Sequence, residues 1–80
     1  MNKFTQLIIT ETQALIAAKG LICPAISAES EFFRDLPLDS LDLATLIVNL
    51  ELQTGLDPFR LGFKTFHRVG ELAELYQELA

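Results

Sequence analysis

The sequence predicts an all-α fold, a small bundle of four helices in which three are long and one is short, with a long loop between the first and second. Three observations carry this expectation. Apolar residues recur at helical spacing in three separate stretches. Gly20, Pro24, Pro37, Gly55 and Pro58 punctuate the chain between those stretches. No stretch shows the strict alternation of apolar and polar residues that a half-buried strand requires. With 80 residues, the chain is expected to form one domain over 1–80. Half of its residues are hydrophobic, so a packed core is feasible at a length where stability is marginal.

The first helix is expected over 3–18, with Phe4, Leu7, Ile8, Leu15 and Ile16 near one face. Ala14, Ala17 and Ala18 add propensity, and Gly20 supplies the stop. Residues 20–38 lie between breakers and carry no helical stripe of useful length. They are expected to form an ordered loop held down by Ile22, Ile26, Phe32, Phe33 and Leu36. A loop of this length inside a small domain tends to carry function. The second helix starts at Asp39 or Ser40, runs to about Gln53 and stops at Gly55. Leu43, Leu46, Ile47 and Leu50 form its apolar stripe, which leaves Leu41 and Val48 partly exposed. Asp57-Pro58 opens a connection with Phe59, Leu61, Phe63 and Phe66 that holds the expected short helix. The last helix is expected over 68–79, with Leu72, Leu75, Tyr76 and Leu79 on its stripe.

Composition narrows the function. Eleven acidic and six basic side chains give a net charge of −5. Nucleic acid is a poor partner for such a surface, because phosphate neutralisation needs clustered Lys and Arg. Partners with basic patches suit it better. The single cysteine, Cys23, excludes an intrachain disulfide, and the single histidine, His67, has no second ligand or base beside it. No apolar run reaches the ~20 residues that span a bilayer, and the N-terminal stretch lacks a continuous apolar segment of signal-peptide type. The expectation is a cytoplasmic monomer without catalysis of its own. The cations Arg60, Lys64, His67 and Arg68 gather at the start of the last helix, where they are expected to pair with acidic segments.

The informative stretch is Asp39-Ser40-Leu41-Asp42, a hydroxyl between two carboxylates at a helix start. If Ser40 caps the helix, its hydroxyl is occupied by a backbone N–H. If Asp39 caps, Ser40 becomes the first helical residue and its Oγ faces solvent. The second arrangement is slightly favoured, because Asp caps at least as well as Ser and its charge complements the helix end. A phosphate ester on Ser40 would then sit where free N–H groups favour negative charge, against repulsion from Asp39 and Asp42. These residues alone leave both roles of Ser40 open, cap or modification site.

The wider block EFFRDLPLDSLDLATLIVNLE, residues 31–51, resembles the acyl carrier proteins. Phe32, Asp35, Leu36, Asp39, Ser40, Leu41, Asp42, Ala44 and Leu46 match that family's pattern in register, and Val69, Leu72 and Tyr76 match its closing segment. The resemblance implies that Ser40 carries 4′-phosphopantetheine, transferred from coenzyme A by a phosphopantetheinyl transferase. It further implies that the arm holds an acyl group as a thioester and presents it to acyl-transferring and synthase enzymes. Asp39, Leu41, Asp42, Val48, Glu51 and Leu52 fall on the surface that such partners read. The chain departs from the family where a row of carboxylates is usual: Thr45 and Leu52 stand there, with Glu51 the main acid after Asp42. Pro37 replaces the usual Gly. These departures favour a specialised carrier over a general fatty-acid one, read more through Leu41, Val48 and Leu52 than through charge. Six phenylalanines suggest a filled interior or a small pocket, and short, polar or polyketide-like cargo. Two alternatives stay open: an aminoacyl or peptidyl carrier, and an unmodified helical adaptor.

Overall fold

The computed structural model describes residues 2–80. Three helices follow in order, α1 (Lys3–Ala18), α2 (Ser40–Thr54) and α3 (Val69–Leu79). Among the described residues, the only β-type pairing is an isolated antiparallel bridge between Glu31 and Arg68. The all-α class and the three main helices agree with the sequence expectation. The short fourth helix does not form. Its place is taken by tight turns, in which the N–H of Arg60 donates to Asp57 O at 3.3 Å and that of Gly62 to Phe59 O at 3.1 Å. Asp57 Oδ1 accepts from the Phe59 N–H at 3.0 Å, an Asx arrangement that competes with helix propagation. Gly62 then turns the chain at φ +140°, which no helix accommodates.

Helix α1 is capped by Asn2, whose Oδ1 accepts from the N–H groups of Phe4 and Thr5. Its buried face comprises Phe4, Thr5, Ile8, Ile9, Thr12 and Ile16, so the core stripe is rotated from the one expected. Leu7 and Leu15 are only half-buried, while Ile9 goes inside. Thr12 is tolerated in the interior because its hydroxyl donates to Ile8 O at 2.7 Å. Helix α1 packs on both α2 and α3, whereas those two do not approach one another closely. Side chains from the loop between α1 and α2 join the core instead: Phe32, Leu36 and Leu38 are buried with Leu46, Leu50, Leu72 and Tyr76. Ile22 and Phe33, expected as anchors of that loop, are exposed. Leu79, at the frayed end of α3, is also exposed rather than part of the core stripe.

The loop does more than fill space. It completes the N-terminus of α3, where Val69 N–H donates to Ser30 O at 3.0 Å and Gly70 N–H to Ala28 O at 2.8 Å. These are two of the orphan donors that every helix start presents. Glu71 Oε1 accepts from the N–H groups of His67 and Arg68, at 2.7 and 2.9 Å, and those donors hold the Glu71 carboxyl below its usual range. A side chain at position 70 would put its Cβ only 3.0 Å from Ala28 O, so the close approach of loop and helix uses a glycine. Of the expected basic cluster, Arg68 lies near Glu31 and Glu71 and Lys64 near Glu78, while Arg60 and His67 form no ion pair among the described residues.

Tyr76 carries the one unpartnered buried side-chain polar atom among the described residues, its hydroxyl. Burial pushes the phenol up to about 12, with a smaller contribution from the Asp57 and Glu51 carboxylates. An unfolded tyrosine ionises near 10, so the stability tied to the neutral phenol is complete below pH 10 and is lost as pH rises from 10 to 12. Tyr76→Phe is therefore expected to leave stability at pH 7 unchanged or raise it by up to about 1 kcal/mol. It should also remove part of the alkaline loss between pH 10 and 12. Urea midpoints at pH 7 and at about pH 11 check both. A clear destabilisation at pH 7 would show that the hydroxyl has a partner.

Candidate functional site

At the start of α2, Ser40 is not the cap. Asp39 is the cap, with extended backbone at φ −109° and ψ −178°. Its Oδ1 accepts from the Asp42 N–H at 2.8 Å, and Asp42 Oδ2 accepts in return from the Asp39 N–H at 3.0 Å. This reciprocal pair is a capping box with Asp in place of the longer Glu. Ser40 is consequently the first helical residue and is exposed. Its hydroxyl has no part in the cap.

A third residue holds this start in place. Lys19, at the C-terminal cap of α1, donates to the carboxylate of Asp42 and, at 2.9 Å, to Pro37 O. The Lys19 hydrogen bond, followed by that from the Asp39 N–H, draws the Asp42 carboxyl below its usual range. The approach to α2 is fixed from the other side by Leu36 and Leu38, both buried. A turn at 31–35 also anchors it, where Asp35 N–H donates to Glu31 O and Asp35 Oδ2 accepts from the Glu31 N–H.

Beyond Ser40, the outer face of α2 is apolar. Leu41, Val48 and Leu52 are 74%, 57% and 79% exposed, and their spacing of seven and four places them on one stripe. Thr45 lies between them, with its hydroxyl turned back onto Leu41 O at 3.0 Å. Of the acids expected on this surface, Asp39 and Glu51 are exposed, and Asp42 is largely covered. The helix ends as expected, at Gly55 with φ +72°.

An open groove of about 340 Å³ runs beside Ser40. Leu43, Ala44 and Ile47 of α2 form its floor, and Phe59, Phe63 and Phe66 form its wall. The rings support one another: Phe59 and Phe63 lie 5.3 Å apart with an 18° angle between planes, and Phe66 meets Phe32 edge-on at 5.8 Å. Of the six phenylalanines, Phe4 and Phe32 fill the core, Phe33 is exposed and the other three line the groove. Ser40 is the one polar side chain in that lining. The volume lies near the lower end of small-molecule sites, about 300–1,000 Å³.

These features fit a phosphodiester-linked arm. The hydroxyl is free of the cap, it opens to solvent at the positive end of a 15-residue helix, and an apolar groove adjoins it. Repulsion from Asp42 is reduced by Lys19. Among the described residues, no group of His, Cys, Asp and Glu could hold a metal ion, and no helix is long and apolar enough to cross a membrane.

Neither a family model nor a curated protein sequence matches the chain. A solved structure does. The solution structure of MacpD, an acyl carrier protein from Pseudomonas fluorescens involved in mupirocin biosynthesis, is similar with a TM-score of 0.81 and 37% sequence identity. The match covers 92% of this chain and 68% of that one. With the helix order, the freed serine and this likeness together, the chain belongs to the acyl carrier proteins, which are carriers and not enzymes.

Proposed function

We propose that this protein carries acyl groups on a 4′-phosphopantetheine arm attached to Ser40 Oγ, the arm being taken from coenzyme A by a phosphopantetheinyl transferase. The observation that carries this reading is the Asp39–Asp42 cap, which leaves the Ser40 hydroxyl free at the first position of α2. When attached, the arm supplies a terminal thiol that holds the acyl group as a thioester. The chain's own contribution is to display the attachment point, keep the tethered group at high local concentration for successive enzymes and offer it a sheltering surface.

The pathway we infer is specialised biosynthesis of the polyketide kind rather than general fatty-acid synthesis. The likeness to a carrier from mupirocin biosynthesis supports this, as does the scarcity of free carboxylates on α2. Partner enzymes would read the surface of Asp39, Leu41, Asp42, Val48, Glu51 and Leu52, with most weight on the three apolar residues. The compartment proposed is the cytoplasm, in keeping with a lone cysteine that forms no disulfide, and the state proposed is a monomer.

The groove bears on cargo. Its lining offers a hydroxylated or keto-bearing chain no hydrogen-bond partner except at Ser40, and an unpaired polar group there would be penalised. A short apolar acyl group fits better than the polar one the phenylalanine count suggested. Loading the modified protein with hexanoyl and, separately, with acetyl is expected to shift the ring resonances of Phe59, Phe63 and Phe66 for hexanoyl only. Equal spectra for the two would remove the groove from cargo binding.

The central test is intact mass after incubation with coenzyme A, Mg²⁺ and a promiscuous transferase, beside Ser40→Ala. The wild type should gain one phosphopantetheinyl group, and the variant none. No gain on folded wild type, with several transferases tried, would leave Ser40 as a plain helical residue and bring the adaptor reading forward.

A further inference from the structure

Lys19 and Asp42 stand 23 positions apart in sequence and form an ion pair unlike the others in the molecule. Their side chains are 32% and 18% exposed, against 52% and 61% for Lys64 and Glu78. Water and salt screen such a pair less than an open surface pair. The ammonium is held on both sides, by Pro37 O and by Asp42 Oδ2, and the same carboxylate oxygen also accepts from the Asp39 N–H. One oxygen of the Asp42 carboxylate, Oδ2, is thus committed inside the molecule, although the residue lies two positions from Ser40.

The consequence for the neighbouring face is specific. An enzyme that acts on the Ser40 hydroxyl must cover the start of α2, and the ridge of Leu41, Thr45, Val48 and Leu52 begins at the adjacent residue. Thr45 adds only its methyl group outward, because its hydroxyl is bonded to Leu41 O. A cation on the partner finds Asp39 and, three turns away, Glu51. The ridge offers such a partner continuous apolar surface instead.

We propose that Lys19 is a specificity-determining residue, an internal counter-ion that withdraws Asp42 from partner recognition and leaves α2 to be read by enzymes with an apolar carrier-facing surface. The inference rests on the carrier reading above and deepens it. It selects against partners whose grip on a carrier depends on a basic surface, since rim charges act mainly on encounter rate and salt dependence.

The test follows transfer of the phosphopantetheinyl group to Ser40 by intact mass, with coenzyme A, Mg²⁺ and a transferase whose carrier-facing surface is basic. Rates are taken at about 50 and about 500 mM NaCl, where the Debye length shrinks several-fold. For wild type, kcat/KM should change by less than about 2-fold between the two salts. Lys19→Met should lower KM by about 3-fold at low salt and lose that gain at high salt. Lys19→Gln, which keeps a donor for Pro37 O, should do the same if the methionine variant folds poorly. Lys19→Arg should behave as wild type, and adding Asp42→Asn to Lys19→Met should abolish the new salt dependence. Val48→Ser should raise KM by about 5-fold at both salts. A steep salt response in wild type would overturn the proposal. So would a fall in kcat on Lys19→Met at both salts with no lowering of KM at low salt, which would make Lys19 a brace and nothing more, or an unchanged KM for Val48→Ser. Absence of transfer to folded wild type is a different result, which would remove the carrier reading and this inference with it.

Discussion

The reciprocal hydrogen bonding of Asp39 and Asp42 is the constraint on which the site depends. It assigns the cap to the residue before Ser40, and so converts an ordinary helix-start serine into a displayed hydroxyl. Neither aspartate could do this alone. Asp39 satisfies one orphan donor of the first turn, and Asp42 fixes the backbone of Asp39 in the extended geometry a cap requires. Lys19 then ties the box to the end of α1 and to the carbonyl of Pro37, so the position of Ser40 is set by three separate parts of the chain.

Charge and apolar surface are distributed unevenly over the molecule. The acids that make the net charge negative lie largely outside α2, on α3 and the long loop, with Glu71 spent on capping and Glu31 shared between Arg34 and Arg68. The helix that bears Ser40 contributes only Asp42 and Glu51. Net charge read from composition therefore misdescribes the helix that bears Ser40. An apolar ridge on one side of Ser40 and an aromatic-walled groove on the other give two surfaces of similar chemistry.

Much of this was legible in the sequence, and the limits have physical causes. Helix ends were readable from Gly20, Gly55 and the Asp-Ser pair because capping is local chemistry, decided within four or five residues. The exposure of Leu41 and Val48 followed from the period of Leu43, Leu46, Ile47 and Leu50. That the expected short helix after Pro58 does not form was not readable, because Asp57 and Gly62 offer the backbone competing bonds whose outcome composition does not decide. Rotation of α1, which buries Ile9 and Thr12, depends on packing against two helices at once. The pairing of Lys19 with Asp42 and the sorting of Phe32 from Phe59, Phe63 and Phe66 are tertiary facts, and nothing in the linear order announces them.

The bonds from Ser30 and Ala28 to the first turn of α3 make that helix a joint product of two distant parts of the chain. About forty residues separate donors from acceptors, with all of α2 between. The molecule therefore has no seam. A cut between α2 and α3 would strand the amides of Val69 and Gly70 on one piece and the carbonyls of the loop on the other. Added sequence is therefore better tolerated at the ends of such a chain than between its helices.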